Sequence, residues 1–323
     1  MCLNGMPLDS AYHAPVLAGE VTGLLRHATR VLDCTVGGGG HSLALLEAGV
    51  ENVVGVDRDP DALAAAGRRL HDYAVAGRFV AVESNFATLD QLPALEGMRF
   101  DGILADLGVS SHQFDDAERG FTFRRGARLD MRMARGAGAN DGPGDAAELL
   151  NEEDVRTLTE IFRDFGDEPH AARLGREIVR RRATRPFETS DDLVAAIRAV
   201  LGPRSGPADF ARLFQAVRIA VNDELPGLER ALPALRDRLT PGGIFVIIAY
   251  HSGEDRLVKN AFREWSAACV CPPRQPVCTC RGRPLGETLT RRPLVASGDE
   301  IIRNPRARSA RLRAWRSACR SAE

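Results

Sequence analysis

Four consecutive glycines and a histidine, Gly37 to His41, follow directly on a short apolar run in "VLDCTVGGGGHS". A glycine turn between a strand and a helix lets the backbone approach a ligand that any Cβ would push away. A phosphate loop would need a Lys followed by Ser or Thr after the glycines to meet the β and γ phosphates, and no such Lys is present. A linker reading also fails, because the glycines join two elements of one compact unit.

Asp57 closes the next apolar run about 20 residues later, where a carboxylate accepts hydrogen bonds from ribose hydroxyls. Asp59 is left to cap the following helix. His41, at a helix start, would crowd a pyrophosphate but can stand beside a ligand without phosphates; the plainer reading is a solvent-exposed residue. Phe86 in "ESNF" suits an adenine face or simple core packing. Asp106 ends the apolar run of "ILADLG", where a carboxylate needs a partner or an open cleft. On these residues alone, a dinucleotide and S-adenosylmethionine both remain open.

The elements that must carry these residues alternate from Thr29 to Gly108. "RVLDCTV", "NVVGVD", "RFVAVESNF" and "FDGILADLG" read as strands, and "HSLALLEAG" and "PDALAAAGRRL" as helices, with Pro60 suited to a first turn. This predicts an α/β fold, a doubly wound, mostly parallel sheet with helices on both faces. From Asp115 to about Phe210 no strand is expected. There "NEEDVRTLTEIFRDFG", with Asn151 as N-cap and Gly166 as stop, and "TSDDLVAAIRAVLGP", starting at Thr189 or Ser190, predict helices. The sheet pattern returns in "IFVIIAY", after a long helical stretch and "TPGG". The expected organisation is a first part of the sheet domain at 1–114, an inserted helical domain at 115–212 and a second part at 213–323. "RGARLDMRMARGAGANDGPG" is the segment expected to be mobile.

A chain of 323 residues that is 44% hydrophobic can bury a substantial core. A net charge of -1 excludes a globally basic nucleic-acid binder, so any such contact rests on local patches. Lys259 is the only lysine, which makes those patches arginine. No run approaches the roughly 18 apolar residues of a membrane span, and the N-terminus lacks a basic region followed by an apolar core. A cytoplasmic protein without membrane contact is expected. Seven cysteines in a chain this long do not look like a secreted disulfide framework. Cys269, Cys271, Cys278 and Cys280 have the spacing C-x-C-x6-C-x-C, whereas the stronger zinc signature has two residues between paired cysteines. Reduced thiols and no metal are the expectation.

"YHAPVLAGEV", "DCTVGGGGHS", "VDRDP", "DLGVSSHQFDDAERGFTF", "LDMRM", "RLFQAVRIAVNDEL", "YHSGEDRLVK" and "NPRARSARLR", in this order from Tyr12 to Arg313, closely resemble the ribosomal RNA small subunit methyltransferase H family, also called MraW. The resemblance implies a Rossmann-like class I methyltransferase with an inserted, substrate-recognising helical domain. It also implies an S-adenosylmethionine-dependent enzyme that methylates the exocyclic N4 of one cytosine in the decoding region of small-subunit ribosomal RNA. Carried over residue by residue, its cofactor contacts are Gly39, Gly40, His41, Asp57, Phe86, Asp106 and Gln113. The chain departs from the commonest pattern in "YHSGED", where a Phe usually precedes the His and a Leu follows the Ser. Tyr250 keeps the aromatic bulk, while Gly253 removes an apolar anchor and is expected to loosen the loop.

Methyl transfer to an amino nitrogen needs alignment and exclusion of water, because the sulfonium donor is already activated. The cytosine N4 is a poor nucleophile, so acceptors for its amino protons would assist it. Where many amino methyltransferases carry "DPPY", this chain has "DLGV", and His251 is the candidate for the missing polar role; its plainer role is to orient the loop. Phe121 and Phe123, beside Arg119, Arg124 and Arg125, could hold a splayed base or pack on a core. Arg303, Arg306, Arg308, Arg311 and Arg313 could meet phosphates or form the polar face of a last strand. The partner is ribosomal RNA or the assembled small subunit, and monomer and dimer both stay open. A non-catalytic assembly factor with this fold is the alternative to an enzyme, and a nicotinamide-dependent oxidoreductase has only the generic fold in its favour.

Overall fold

The structure, a computed structural model, describes residues 15–91, 95–108, 119–134, 144–272, 275 and 277–319. Two compact units emerge, one from Met1–Gly108 with Gly227–Glu323 and the other from Val109–Pro226. Along the chain the first stretch runs α1 (Ala18–Leu25), β1 (Arg30–Asp33), α2 (Gly40–Glu47), β2 (Asn52–Asp57), α3 (Pro60–Arg69), α4 (His71–Val75), β3 (Phe79–Glu83), a 3-10 turn (Phe86–Gln91) and β4 (Phe100–Asp106). The helical unit holds α5 (Ala146–Glu152), α6 (Val155–Glu160), a π turn (Ile161–Phe165), α7 (Ala171–Arg182), α8 (Ser190–Leu201) and α9 (Pro207–Val221). The chain then returns through α10 (Glu224–Arg236), β5 (Leu239–Ala249), α11 (Ser252–Ser266), β6 (Gly286–Thr288), α12 (Gly298–Arg303), a second 3-10 turn (Pro305–Ser309) and β7 (Arg311–Ser317).

The sheet has the order β3-β2-β1-β4-β5-β7-β6. Strands β1 to β5 pair in parallel, whereas β7 is antiparallel to both β5 and β6. This is the expected doubly wound, mostly parallel sheet. Successive side chains of a strand point to opposite faces. Val31, Val53, Leu104 and Val246 therefore pack with α1 and α2, and Leu32, Val54, Ile103 and Phe245 with α10 and α11. The run after β1 goes outward to β3 and then returns to β4 on the other side of β1. That reversal opens a crevice at the carboxyl ends of β1 and β4, the usual ligand position in such sheets.

Two expected helix details change. Asn151 does not cap a helix: it lies inside α5, where its amide donates to Phe187 O (2.9 Å) and accepts from Phe187 N (2.9 Å). Asp145 and Asp154 cap α5 and α6 instead, each accepting a backbone N–H. Thr189 caps α8 as expected, in a capping box with Asp192.

The expected boundary at 212/213 falls inside α9. That helix buries Leu213, Phe214, Ala216 and Val217 in the core of the helical unit, so the unit continues to Pro226. The segment expected to be mobile divides. Residues 135–143 lie outside the described ones, but Leu129 and Met131 are buried in the helical core. Asn222 pins them: Nδ2 donates to Met131 O (2.7 Å) and Oδ1 accepts from Met133 N (2.8 Å). Asn222→Ala strips two buried backbone groups of these partners and is expected to cost about 2–4 kcal/mol in urea unfolding; a loss under about 0.5 kcal/mol would deny the bridge its weight.

Candidate active site

The glycine turn leaves β1 and enters α2. Gly37 (φ +50°) and Gly39 (φ +78°) take left-handed conformations that only glycine adopts without strain, and a Cβ on Gly39 would stand 3.1 Å from Leu70. Three carboxylates end the strands around this turn: Asp33 on β1, Asp57 on β2 and Asp106 on β4.

Asp57 braces the glycine turn. Its Oδ2 accepts from Gly37 N (2.8 Å) and its Oδ1 from Asp59 N (3.0 Å). Each oxygen keeps a lone pair, and a pair of adjacent ribose hydroxyls matches that arrangement. The carboxyl is partly exposed yet closely surrounded by protein, and desolvation pushes its pKa up to about 6 despite these two donors. Asp59 caps α3 by accepting from Asp61 N, so the helix-capping duty does not fall on Asp57.

His41 is buried, which removes the solvent-exposed reading. Its Nε2 lies 3.4 Å from Asp106 Oδ2 without hydrogen-bond geometry, and neither ring nitrogen has a hydrogen-bond partner among the described residues. Buried polar atoms left in this way are groups a bound ligand can complete. Asp106 is tied in from two sides. Its N–H donates to Thr35 Oγ1 (2.7 Å), and its carboxylate accepts the Tyr250 hydroxyl. Burial first, then the charge and hydrogen bond of Asp106, push the Tyr250 phenol well above its ordinary range and keep it a donor. The Tyr250 ring covers Gly108 so closely that a Cβ there would meet it at 2.7 Å. Tyr250 therefore does more than replace aromatic bulk.

Phe86 follows β3 by three residues, opens the 3-10 turn and packs partly buried against the α10/α11 face of the sheet. Gly40 starts α2 against Pro15, with room for little more than a hydrogen. Gln113 lies outside the described residues. His251 follows β5 by two residues and is the N-cap of α11. Glu254 reaches back to accept from Tyr250 N (2.8 Å) and His251 N (3.3 Å), and its other oxygen stands 3.1 Å from His251 Nε2. The loop after β5 is thus a pinned helix start with Gly253 buried in it, not the loosened loop expected from losing an apolar anchor.

Asp33, which ends β1 just before the glycines, carries the same sequence signal as Asp57, an acid closing an apolar run. It is buried, accepts from Ser42 Oγ (2.7 Å) and Thr35 N (3.2 Å), and desolvation raises its pKa. Two strand-end acids whose burial opposes their ionisation favour a ligand that brings positive charge and hydroxyl donors over one that brings phosphates.

In the helical unit Phe121 is buried, and Phe123 stands edge-on to Phe210 (6.1 Å) and Phe214 (6.0 Å), so both are packing residues. They also border a small open cleft, lined further by Met131, Ala211, Phe214, Gln215 and Arg218. Arg311 and Arg313 belong to β7, and Arg313 is buried against Asp255, which removes it from the phosphate-binding candidates. Arg303 and Arg308 are exposed. No helix among the described residues is long and apolar enough to cross a membrane.

The family described as the MraW methylase family matches this chain over residues 10–318. The ribosomal RNA small subunit methyltransferase H of Gemmatimonas aurantiaca is 68% identical to it over 307 residues, covering 95% of this chain and 96% of that protein. The proteins of the same name from Heliobacterium modesticaldum and Symbiobacterium thermophilum are 47% and 44% identical, over 94% of this chain and 97% and 96% of theirs.

Proposed function

Because the chain belongs to the MraW methylase family, we propose that it transfers a methyl group from S-adenosylmethionine to the exocyclic N4 of a cytosine in the decoding region of small-subunit ribosomal RNA. The observation that carries this reading is the glycine turn braced by Asp57 through Gly37 N (2.8 Å), beside the strand-end acids Asp33 and Asp106. It is a setting for a ribose diol and a cation, in a Rossmann-like class I methyltransferase sheet.

S-adenosylmethionine, when bound, supplies a methyl group on a positively charged sulfur. The chain's own residues hold and orient. Gly39 and Gly40 give backbone approach, Asp57 accepts ribose hydroxyls and Phe86 offers a ring face to adenine, with Gln113 the further cofactor contact that the family resemblance implies. His41 and Asp106 border the reacting end, where acceptors for the amino protons favour the nitrogen as it becomes pyramidal. His251, whose Nε2 stands 3.1 Å from Glu254 Oε1, is assigned to accept the departing proton.

The inserted helical unit is assigned to RNA recognition, with the exposed Arg173, Arg176 and Arg185 available for phosphates. The substrate is assigned as small-subunit ribosomal RNA, free or within the assembled small subunit, in the cytoplasm. Incubation with labelled S-adenosylmethionine and either small subunits or free ribosomal RNA tests the reading. Label on a single decoding-region cytosine is expected, and the better substrate of the two identifies the acceptor form. No incorporation in either would favour a non-catalytic assembly factor and sink the enzyme.

A further inference from the structure

Between the end of α11 at Ser266 and the start of β6 at Gly286, the chain has no helix or strand among its described residues. Leu285 anchors its β6 end on the core, but in the stretch that carries the cysteines Val270 and Val277 are 39% and 69% exposed. Apolar burial does not hold that stretch. Yet it brings four cysteines together. Cys278 Sγ lies 3.8 Å from Cys269 Sγ, 3.8 Å from Cys271 Sγ and 3.5 Å from Cys280 Sγ, and Cys280 Sγ lies 3.8 Å from Cys269 Sγ. All four sulfurs are within 4.8 Å of one another.

A tetrahedron with zinc–sulfur bonds of about 2.3 Å has edges of about 3.8 Å. Three of these sulfur–sulfur separations equal that edge, and the fourth, Cys278 to Cys280 at 3.5 Å, is slightly shorter. A disulfide pairs two sulfurs at about 2.05 Å and leaves the other two with no reason to converge. Around the cluster, backbone N–H groups donate to sulfur: Val270 to Cys280 (3.4 Å), Gly282 to Cys280 and Thr279 to Cys271. Such donors stabilise thiolates and orient them for a metal. Gly282, two residues after Cys280, takes a φ of +64°, the turn that aims its N–H back at that sulfur. Arg281 fastens the same turn to α11 through the Glu264 and Ala267 carbonyls.

We infer that Cys269, Cys271, Cys278 and Cys280 form a tetrathiolate zinc site that orders the connection between α11 and β6. An all-sulfur tetrahedral set selects zinc or iron over magnesium or calcium, and a closed set with no open position is structural rather than catalytic. The C-x-C spacing that argued against zinc concerns ligands in one short knuckle. Here the fold supplies each pair from a different arm of the segment, and the tetrahedron closes between them.

The test is elemental analysis of the full chain purified under reducing conditions. About one zinc per chain is expected. Cys278→Ser, which removes the sulfur closest to the others, should lower bound zinc at least about tenfold. Should that variant fail to fold, the parent chain answers by itself: a chelator should release the zinc, expose four further thiols to a thiol reagent, and open the 267–285 segment to protease while the sheet stays protected. Four thiols already reactive with no zinc taken up on titration, one iron in place of zinc, or disulfides found by mass spectrometry would each overturn the site.

Discussion

Asp57→Ala will bind S-adenosylmethionine at least about 100-fold more weakly than the parent chain, because two hydrogen bonds to a charged acceptor, each worth about 1.5–3 kcal/mol, are lost together. The fold should survive, since β2 keeps its pairing to β1 and β3 without that side chain. The loss has a second source in the structure. Asp57 also holds Gly37 N and Asp59 N, so its removal slackens both loops that border the ligand. Asp57→Asn keeps one acceptor oxygen and should fall between the two. Calorimetry reads all three, and an unchanged affinity in Asp57→Ala removes it from the ribose role.

The same residue sets a pH dependence. Its carboxyl stands at about 6 in the folded chain against an ordinary 3.8, so its protonated form is favoured by folding. Its contribution to stability is complete below about pH 4 and is lost as pH rises through about 6. Ribose hydroxyls donate to the ionised form, which gives binding the opposite slope. Affinity for S-adenosylmethionine should rise as pH increases through about 6 and then level off, with protons released on binding near pH 5.5. Asp57→Asn should lose that slope.

Asp255→Ala is expected to destabilise the sheet unit by about 3–5 kcal/mol, the usual result of leaving a buried charge without its partner. Arg313 on β7 grips Asp255 on α11 with a two-toothed fork, Nε to Oδ1 at 2.6 Å and a second nitrogen to Oδ2 at 3.1 Å, and Arg311 approaches Oδ2 at 3.3 Å. The Arg313 side chain is only 9% exposed, so water cannot replace the carboxylate. Burial alone would raise the Asp255 pKa, but the Arg313 fork and the charges of both arginines overcome it and hold it below the ordinary 3.8. A depressed carboxyl contributes stability above its unfolded pKa and loses it as pH falls. The gap between parent and Asp255→Ala in urea unfolding should therefore be full at neutral pH and narrow below about pH 4. Replacing both partners by apolar residues should recover most of the loss, and a single-variant cost under about 1 kcal/mol would deny the pair its structural weight.

Among the candidate site residues, Asp57 and Asp106 were legible because an acid closing an apolar run is a local signal. The glycine turn was legible because its backbone demand is met by one residue type. Asp33 carried the same signal as Asp57 and was eclipsed by the glycines beside it. The burial of His41 was not legible, since it depends on Asp106, 65 positions away in the chain, arriving beside it through the β1/β4 pairing. Tyr250 read as a change of bulk; its bond to Asp106 exists only because β5 lies against β4.

By itself, the sequence determined what depends on neighbours within a few residues: the apolar strands, the Thr189 and Asp59 caps, the helical insertion and the glycine turn. Together with the resemblance they named the family and the reaction class. Tertiary structure decided what depends on distant residues meeting. The last strand entered antiparallel beside β5, which turned Arg313 from a candidate for phosphate into the buried partner of Asp255. Helix α9 joined the helical unit, because its apolar face found its core there. Cys269 and Cys271 met Cys278 and Cys280 at one point. The physical reason is the same in each case. Backbone preference acts over a turn or a strand, whereas burial, charge pairing and the gathering of thiols are set by side chains that only the folded chain makes neighbours.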